Sequence, residues 1–223
     1  MVDLDHLQME VNMKVIIMCG GEYEKFKTPK HLSTVKGERL VERTIRLLKE
    51  NGMTDISISS NNPMFDNLGV PRLEHINTYK QVNGTQVGYW LDAYYPVEEP
   101  VIYIYGDVYF TDNAIKTIVN YKSNDNILFG TSDAKNKYHQ NWGEPFAYLV
   151  NDYITFFKGI EEVKKLQDKG LTNRMPVTWE LYRYLNGLDV NVQQVLDKTY
   201  VCIDDGTMDI DQPEDIEMLD KRM

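Results

Sequence analysis

Three groups of residues have the types and spacing for phosphate and metal chemistry. The first is the run Cys19-Gly20-Gly21-Glu22, followed by Lys25 and then by Pro29-Lys30. Glycines let backbone N–H groups approach a phosphate without a Cβ in the way, and Lys25 and Lys30 can supply compensating charge. The same residues also suit a tight turn with surface lysines. Neither G-x-G-x-x-G nor G-x-x-x-x-G-K-[ST] occurs here, which excludes the dinucleotide fingerprint and the P-loop. The second group is Gly106-Asp107, directly after an apolar run. A carboxylate at the carboxyl end of a central strand faces the crevice where open α/β sheets bind ligands. It suits Mg²⁺, which takes few protein ligands; a turn or cap before Thr111 and Asp112 is the other use. The third group is Asp209-Ile210-Asp211-Gln212-Pro213-Glu214-Asp215. Asp209 and Asp211 share one side of an extended segment, and a cation between them relieves their repulsion. Asp211 with Glu214 also makes a capping box, with Pro213 in the first helical turn. Asp209 is therefore the stronger metal-ligand candidate, and Asp211 is ligand, cap or both.

The elements that must hold these residues follow from periodicity. Residues 14–18 and 101–105 are short continuous apolar runs, the mark of buried parallel strands. Residues 55–60 alternate as a strand, and 127–131, 146–150 and 199–203 read as further strands. Residues 38–50 carry Leu40, Val41, Thr44, Ile45 and Leu48 at helical spacing, with Gly52 where a C′ glycine belongs. Helices are also expected over 86–95, with Val87, Trp90, Leu91 and Tyr94 inward, and over 112–121, capped by Thr111 or Asp112. Further helices are expected over 153–168, 176–186 and from Pro213 onward. Residues 138–145 read as a loop. Alternation of strand and helix predicts a single α/β domain of Rossmann-like, three-layer type with a mostly parallel central sheet, over 13–223, behind an acidic extension, 1–12.

Composition narrows the function. The 223 residues carry 24 Lys plus Arg and 34 Asp plus Glu, a formal charge of −10, which argues against nucleic acid or an anionic membrane as partner. No apolar run nears the roughly 18 residues that span a bilayer. Two cysteines make no disulfide framework, so a reduced, cytoplasmic setting is expected. His6, His31, His75 and His139 form no metal-spaced pair, and zinc is not expected. A surface role is expected for His31.

In this order the motifs resemble the nucleotidyltransferases of the sugar-phosphate, molybdenum-cofactor and phosphocholine type, which share a glycosyltransferase-A-like fold. The resemblance rests on Ile17-Met18-Cys19-Gly20-Gly21, Lys25-Phe26, Pro29-Lys30, Gly106-Asp107-Val108 and the Asp209 to Asp215 segment, and covers about 13–220. It implies transfer of a nucleoside monophosphate from a nucleoside triphosphate to a phosphorylated small-molecule acceptor, with release of pyrophosphate. It implies Cys19, Gly20, Gly21, Glu22 and Gly106 around the triphosphate, Lys25 at its β/γ end and Lys30 at the α-phosphorus. Mg²⁺ would sit on Asp107 and Asp209, with Asp211 beside it. Gln81, Asn83, Gly84 and Thr85 would contact base or ribose. Asn83-Gly84-Thr85 and the Gly106 to Phe110 turn look like the cytidylyltransferase branch, which favours CTP. Trp142, Glu144, Tyr148 and Trp179 would face the acceptor, a phosphocholine-like head group or a sugar 1-phosphate, and the chain would be a monomer or homodimer. Where the family has Arg, this chain has Lys25, which loses the bidentate fork; Glu22 and Glu24 sit poorly beside a triphosphate. A metal-dependent glycosyltransferase using an Asp-x-Asp pair and a non-catalytic nucleotide-binding relative are the alternatives.

Overall fold

The computed structural model describes residues 13–20, 25–82, 85–135 and 143–221. The first half runs β1 (Lys14–Met18), β2 (Thr34–Val35), β3 (Glu38–Arg39), α1 (Leu40–Glu50), β4 (Ile56–Ser59), β5 (Arg72–Leu73), β6 (Tyr79–Val82), β7 (Thr85–Gly88) and β8 (Val101–Tyr105). The second half runs β9 (Val108–Tyr109), α2 (Asp112–Asn120), β10 (Ile127–Gly130), β11 (Pro145–Val150), α3 (Tyr153–Asp168), α4 (Thr178–Leu185), β12 (Tyr200–Cys202), β13 (Met208–Asp209) and α5 (Pro213–Lys221).

Seven strands form the central sheet in the order β12-β10-β11-β8-β1-β4-β5. All neighbours are parallel except β11, which runs antiparallel to both β8 and β10. The apolar runs sit where their composition requires. β1 and β8 are adjacent, with Ile17 beside Ile58 on one flank and Ile104 on the other. Strands covered by helices on both faces need no polar alternation. In α1, Leu40, Val41, Thr44, Ile45, Leu47 and Leu48 are buried, and Gly52 takes the positive φ of 85° that ends the helix. Each of the aliphatic side chains among them contributes about 1.5–3 kcal/mol by leaving water.

The helix expected over 86–95 does not form. β6 and β7 make a hairpin, and a short 3₁₀ turn covers Trp90–Ala93. The periodicity spans only about two turns, too short for a helix to stand on its own. The Asp92 carboxylate accepts the backbone N–H of Thr78 instead. α2 begins as expected, with the Thr111 hydroxyl accepting from the Ala114 N–H.

A short pairing carries the Asp209 segment to the carboxyl edge of the sheet. β13 pairs antiparallel with β9, setting Asp209 opposite Val108, and the Ile210 N–H donates to the Asp107 carbonyl at 3.0 Å. Ile210 is fully buried with Val35, Leu40 and Leu219 in a small second core. That core clamps the segment between α5 and the β2–β3 hairpin. Among the described residues no helix is long and apolar enough to cross a membrane.

Candidate active site

β1, β4 and β8 all end at the same edge, and a cleft of about 1280 Å³ opens above them. Lys30 lies at its floor. Pro29 starts the 3₁₀ turn Lys30–Leu32 and holds the lysine under the cleft. The Lys30 ammonium reaches Asp107 Oδ2 at 2.8 Å and Asp211 Oδ1 at 3.1 Å. Burial works against this charge, but Asp107, Asp209 and Asp211 outweigh it and raise the lysine pKa. Asp209 faces the same point. Burial, and then the charge of Asp107, push its carboxyl up to about 9, against the pull of Lys30. Glu144, on the far wall, is pushed up to about 7 by burial and by the charges of Asp211 and Asp107. Four carboxylates thus converge around one ammonium.

The expected residues fall into three sets. Lys30, Asp107, Asp209 and Asp211 come together, and Gly20, Glu144 and Trp179 also line the cleft. Cys19 and Tyr148 do not reach it. Cys19 is fully buried, and a Cβ on Gly106 would lie 2.5 Å from its sulfur and 2.8 Å from the Met18 carbonyl oxygen. The nucleotide contact implied at Cys19 is corrected for its side chain, which packs as a small residue opening the loop is expected to: its thiol fills the space that Gly106 leaves. Tyr148 points into the core of β11, edge-on to Phe156, with its hydroxyl unpartnered among the described residues. The expected acceptor contact at Tyr148 is corrected in the same way, because the strand's alternation turns this side chain inward. Lys25 is exposed and outside the cleft lining. Gly21, Glu22, Asn83, Gly84 and Trp142 lie outside the described residues, and Gln81 and Thr85 are placed only as backbone on the β6–β7 hairpin.

Two local readings also change. Asp211 does not cap α5, since Asp215 accepts the backbone N–H groups of both Asp211 and Gln212. That leaves the Asp211 side chain for Lys30. His31 is not a surface residue. It is 1% exposed beneath Lys30, edge-on to Phe65, and burial pushes its pKa down to about 4.

Sequence reasoning missed several lining residues: Asn61, His75, Asn77, Trp90, Tyr105 and Arg174. Asn61 and Tyr105 follow or end strands, the signal that marked Asp107. Arg174 has a local signal too. Its Nε donates to Glu180 at 2.9 Å, while the second Glu180 oxygen accepts the Val177 N–H at the start of α4. His75 and Asn77 follow no periodic pattern.

A family model, the MobA-like NTP transferase domain, matches residues 15–174. The chain belongs to this family. The MobA-like match contains Lys30 and Asp107 and stops short of Asp209. Among solved structures, a candidate glucose-1-phosphate thymidylyltransferase from Bacillus anthracis, solved with sucrose, is 17% identical. It covers 93% of this chain and 94% of its own, with a TM-score of 0.58. A hypothetical transferase from Thermus thermophilus is 17% identical over 92% and 99%, with a TM-score of 0.53. The Rv0371c protein of Mycobacterium tuberculosis H37Rv is 12% identical over 94% and 97%, also with a TM-score of 0.53. At these identities the MobA-like domain shares their fold. Comparison with curated proteins gives no match.

Proposed function

We propose that the chain transfers a nucleoside monophosphate from a nucleoside triphosphate, with CTP the favoured donor, to a phosphorylated small-molecule acceptor. An acceptor phosphate oxygen attacks the α-phosphorus, the bond to the β-phosphate oxygen breaks, and pyrophosphate leaves. The observation that carries this reading is the convergence of Lys30, Asp107, Asp209 and Asp211 at the carboxyl edge of the sheet, in a chain of this family. Reactions at phosphorus need positioning and charge neutralisation more than covalent chemistry, and this is a set of charges on rigid elements.

The donor set fits a divalent cation. Two carboxylates held side by side by the β9–β13 pairing, one of them resisting ionisation, are relieved by Mg²⁺. Among the described residues no group of three or more acidic, His or Cys side chains is placed to hold a metal ion; a pair of carboxylates suffices for Mg²⁺, which commonly keeps water and phosphate oxygens for its other positions. Asp107 and Asp209 would hold it, and when bound it would neutralise phosphate charge. Lys30 supplies fixed positive charge at the α-phosphate and keeps Asp107 aimed. The backbone at Gly20 and Gly21 receives the triphosphate, with Lys25 at its outer end. Glu144 and Trp179 face the acceptor, where a phosphocholine-like head group or a sugar 1-phosphate would sit.

The test is pyrophosphate release with Mg²⁺, running CTP, UTP, GTP, ATP and dTTP against phosphocholine-like compounds and sugar 1-phosphates. Acceptor-dependent release with one triphosphate is expected, and Asp107→Asn should lower it about 100-fold or more while melting like the wild type. Release that needs no acceptor, or an active Asp107→Asn, would overturn the assignment.

A further inference from the structure

The β6–β7 hairpin stands apart from the central sheet. It is a two-stranded sheet of its own, with Tyr79 opposite Gly88 and Val82 opposite Thr85. A lone hairpin is marginally stable in water, so its place is decided at its two feet. The feet close on each other, with the Tyr89 N–H donating to the Thr78 carbonyl at 3.1 Å. Both are then tied to the last turns of α3. Asp92 Oδ2 accepts the Thr78 N–H at 2.5 Å and the Thr78 hydroxyl at 2.7 Å, and Asp92 Oδ1 accepts the Lys164 ammonium at 2.5 Å. One helical turn on, Asp168 accepts the Tyr89 hydroxyl at 2.5 Å, and the Lys164 ammonium lies 5.4 Å from the centre of the Tyr89 ring. The Asp92 side chain is 5% exposed and that of Lys164 14%. An ion pair so far from water adds little net stability, because desolvation offsets the attraction, but each charge must keep its partner. The pair therefore holds the feet in one place.

Those feet border the cleft. Asn77, Gly88, Tyr89 and Trp90 line it, with Gly20 and Asn61 just past the ends of β1 and β4. A Cβ on Gly20 would lie 3.4 Å from the Ala93 Cβ, so the turn that carries Asp92 stands against the start of the phosphate loop. Glu144 and Trp179 lie beyond β8: Glu144 directly precedes β11, and Trp179 packs on Tyr200 of β12. A triphosphate seated at Gly20 has the hairpin on its own side of the sheet, and its nucleoside is the part that the feet can meet. We propose that Lys164, acting through Asp92, is a positioning residue that fixes the β6–β7 hairpin against the nucleoside of the bound triphosphate. The inference rests on the nucleotide reading above.

The test separates position from stability. Lys164→Met leaves Asp92 buried without its cation and should lower the melting temperature by several degrees. Adding Asp92→Asn removes the orphaned charge and keeps a carbonyl oxygen for Thr78. The double variant should recover most of the lost melting temperature while its tie to α3 stays broken. Binding is measured by calorimetry at a temperature where all three proteins are folded, in Mg²⁺ and without acceptor. The ligands are inorganic tripolyphosphate and whichever of the five triphosphates the wild type binds most tightly. Both variants should bind the nucleoside triphosphate about tenfold more weakly, the effect of one lost hydrogen bond, and tripolyphosphate as the wild type does. Nucleotide affinity that returns with the melting temperature in the double variant would overturn the inference. Variants that bind nucleotide like the wild type, or lose tripolyphosphate equally, would overturn it too, and each of these results leaves the nucleotide reading standing. A wild type that binds no triphosphate would overturn both.

Discussion

At neutral pH and without a cation, Asp209 faces Asp107 and Asp211 with Lys30 between them, and its carboxyl resists ionisation up to about 9. This arrangement favours ligand binding at the expense of the empty protein. Asp209→Asn should therefore raise the melting temperature of the metal-free protein by a few degrees. It should also abolish the rise that Mg²⁺ produces in the wild type. Thermal melts with and without Mg²⁺ check both; a variant that melts lower and still responds to Mg²⁺ would contradict the role given to Asp209. At this scale the sequence was informative where a residue's chemistry coincided with a strand end, as at Asp107 and Asp209. It was uninformative for His75, whose imidazole meets Ser59 from another segment. It misled at Tyr148, because position after a loop does not say which face of a strand a side chain takes.

The ends of β1 and β8 meet at Gly106, where the Gly106 N–H donates to the Met18 carbonyl at 2.9 Å and the Cys19 sulfur fills the remaining space. Gly106→Ala should destabilise the fold by about 1–3 kcal/mol through overpacking. Adding Cys19→Ala should recover part of that loss and no more, since the Met18 carbonyl oxygen would still stand 2.8 Å from the new methyl. Denaturant titration of the two single variants and the double gives the coupling directly. Full recovery would mean that the backbone at Met18 yields. The elements themselves were largely legible, because β1 and β8 are continuous apolar runs and α1 and α3 are long or strongly periodic. The segment 86–95 was not, since four apolar residues at helical spacing cannot outweigh the hairpin and the Asp92 bond to Thr78.

Across the whole molecule, acid stability depends on groups buried in the neutral form. His31 has a folded-state pKa of about 4, below its ordinary 6.5. A histidine with a depressed folded pKa supports folding above the unfolded value, and that support is lost as pH falls through the folded one. Wild type should therefore lose about 3 kcal/mol relative to His31→Gln between pH 6.5 and 4. Asp209 and Glu144 titrate in the opposite sense, so the difference between the two proteins, measured by urea unfolding at each pH, isolates His31. Equal pH dependence of the two proteins would mean that His31 is protonated without unfolding. The sheet order and the single antiparallel strand were only partly foreseeable: alternation implied a mostly parallel sheet, but the direction of β11 is decided by pairing partners far away in sequence.

The two thiols of the chain differ in how they meet a reagent. Cys202 is partly accessible, and Cys19 is sealed under Gly106. An alkylating probe can reach Cys202 directly, but it reaches Cys19 only when the ends of β1 and β8 part. The ratio of the two labelling rates is then a built-in clock for opening of the cleft floor, with one sulfur timing the other in the same tube. A ligand that ties β1 to β8 should slow the Cys19 hand of that clock and leave the Cys202 hand running.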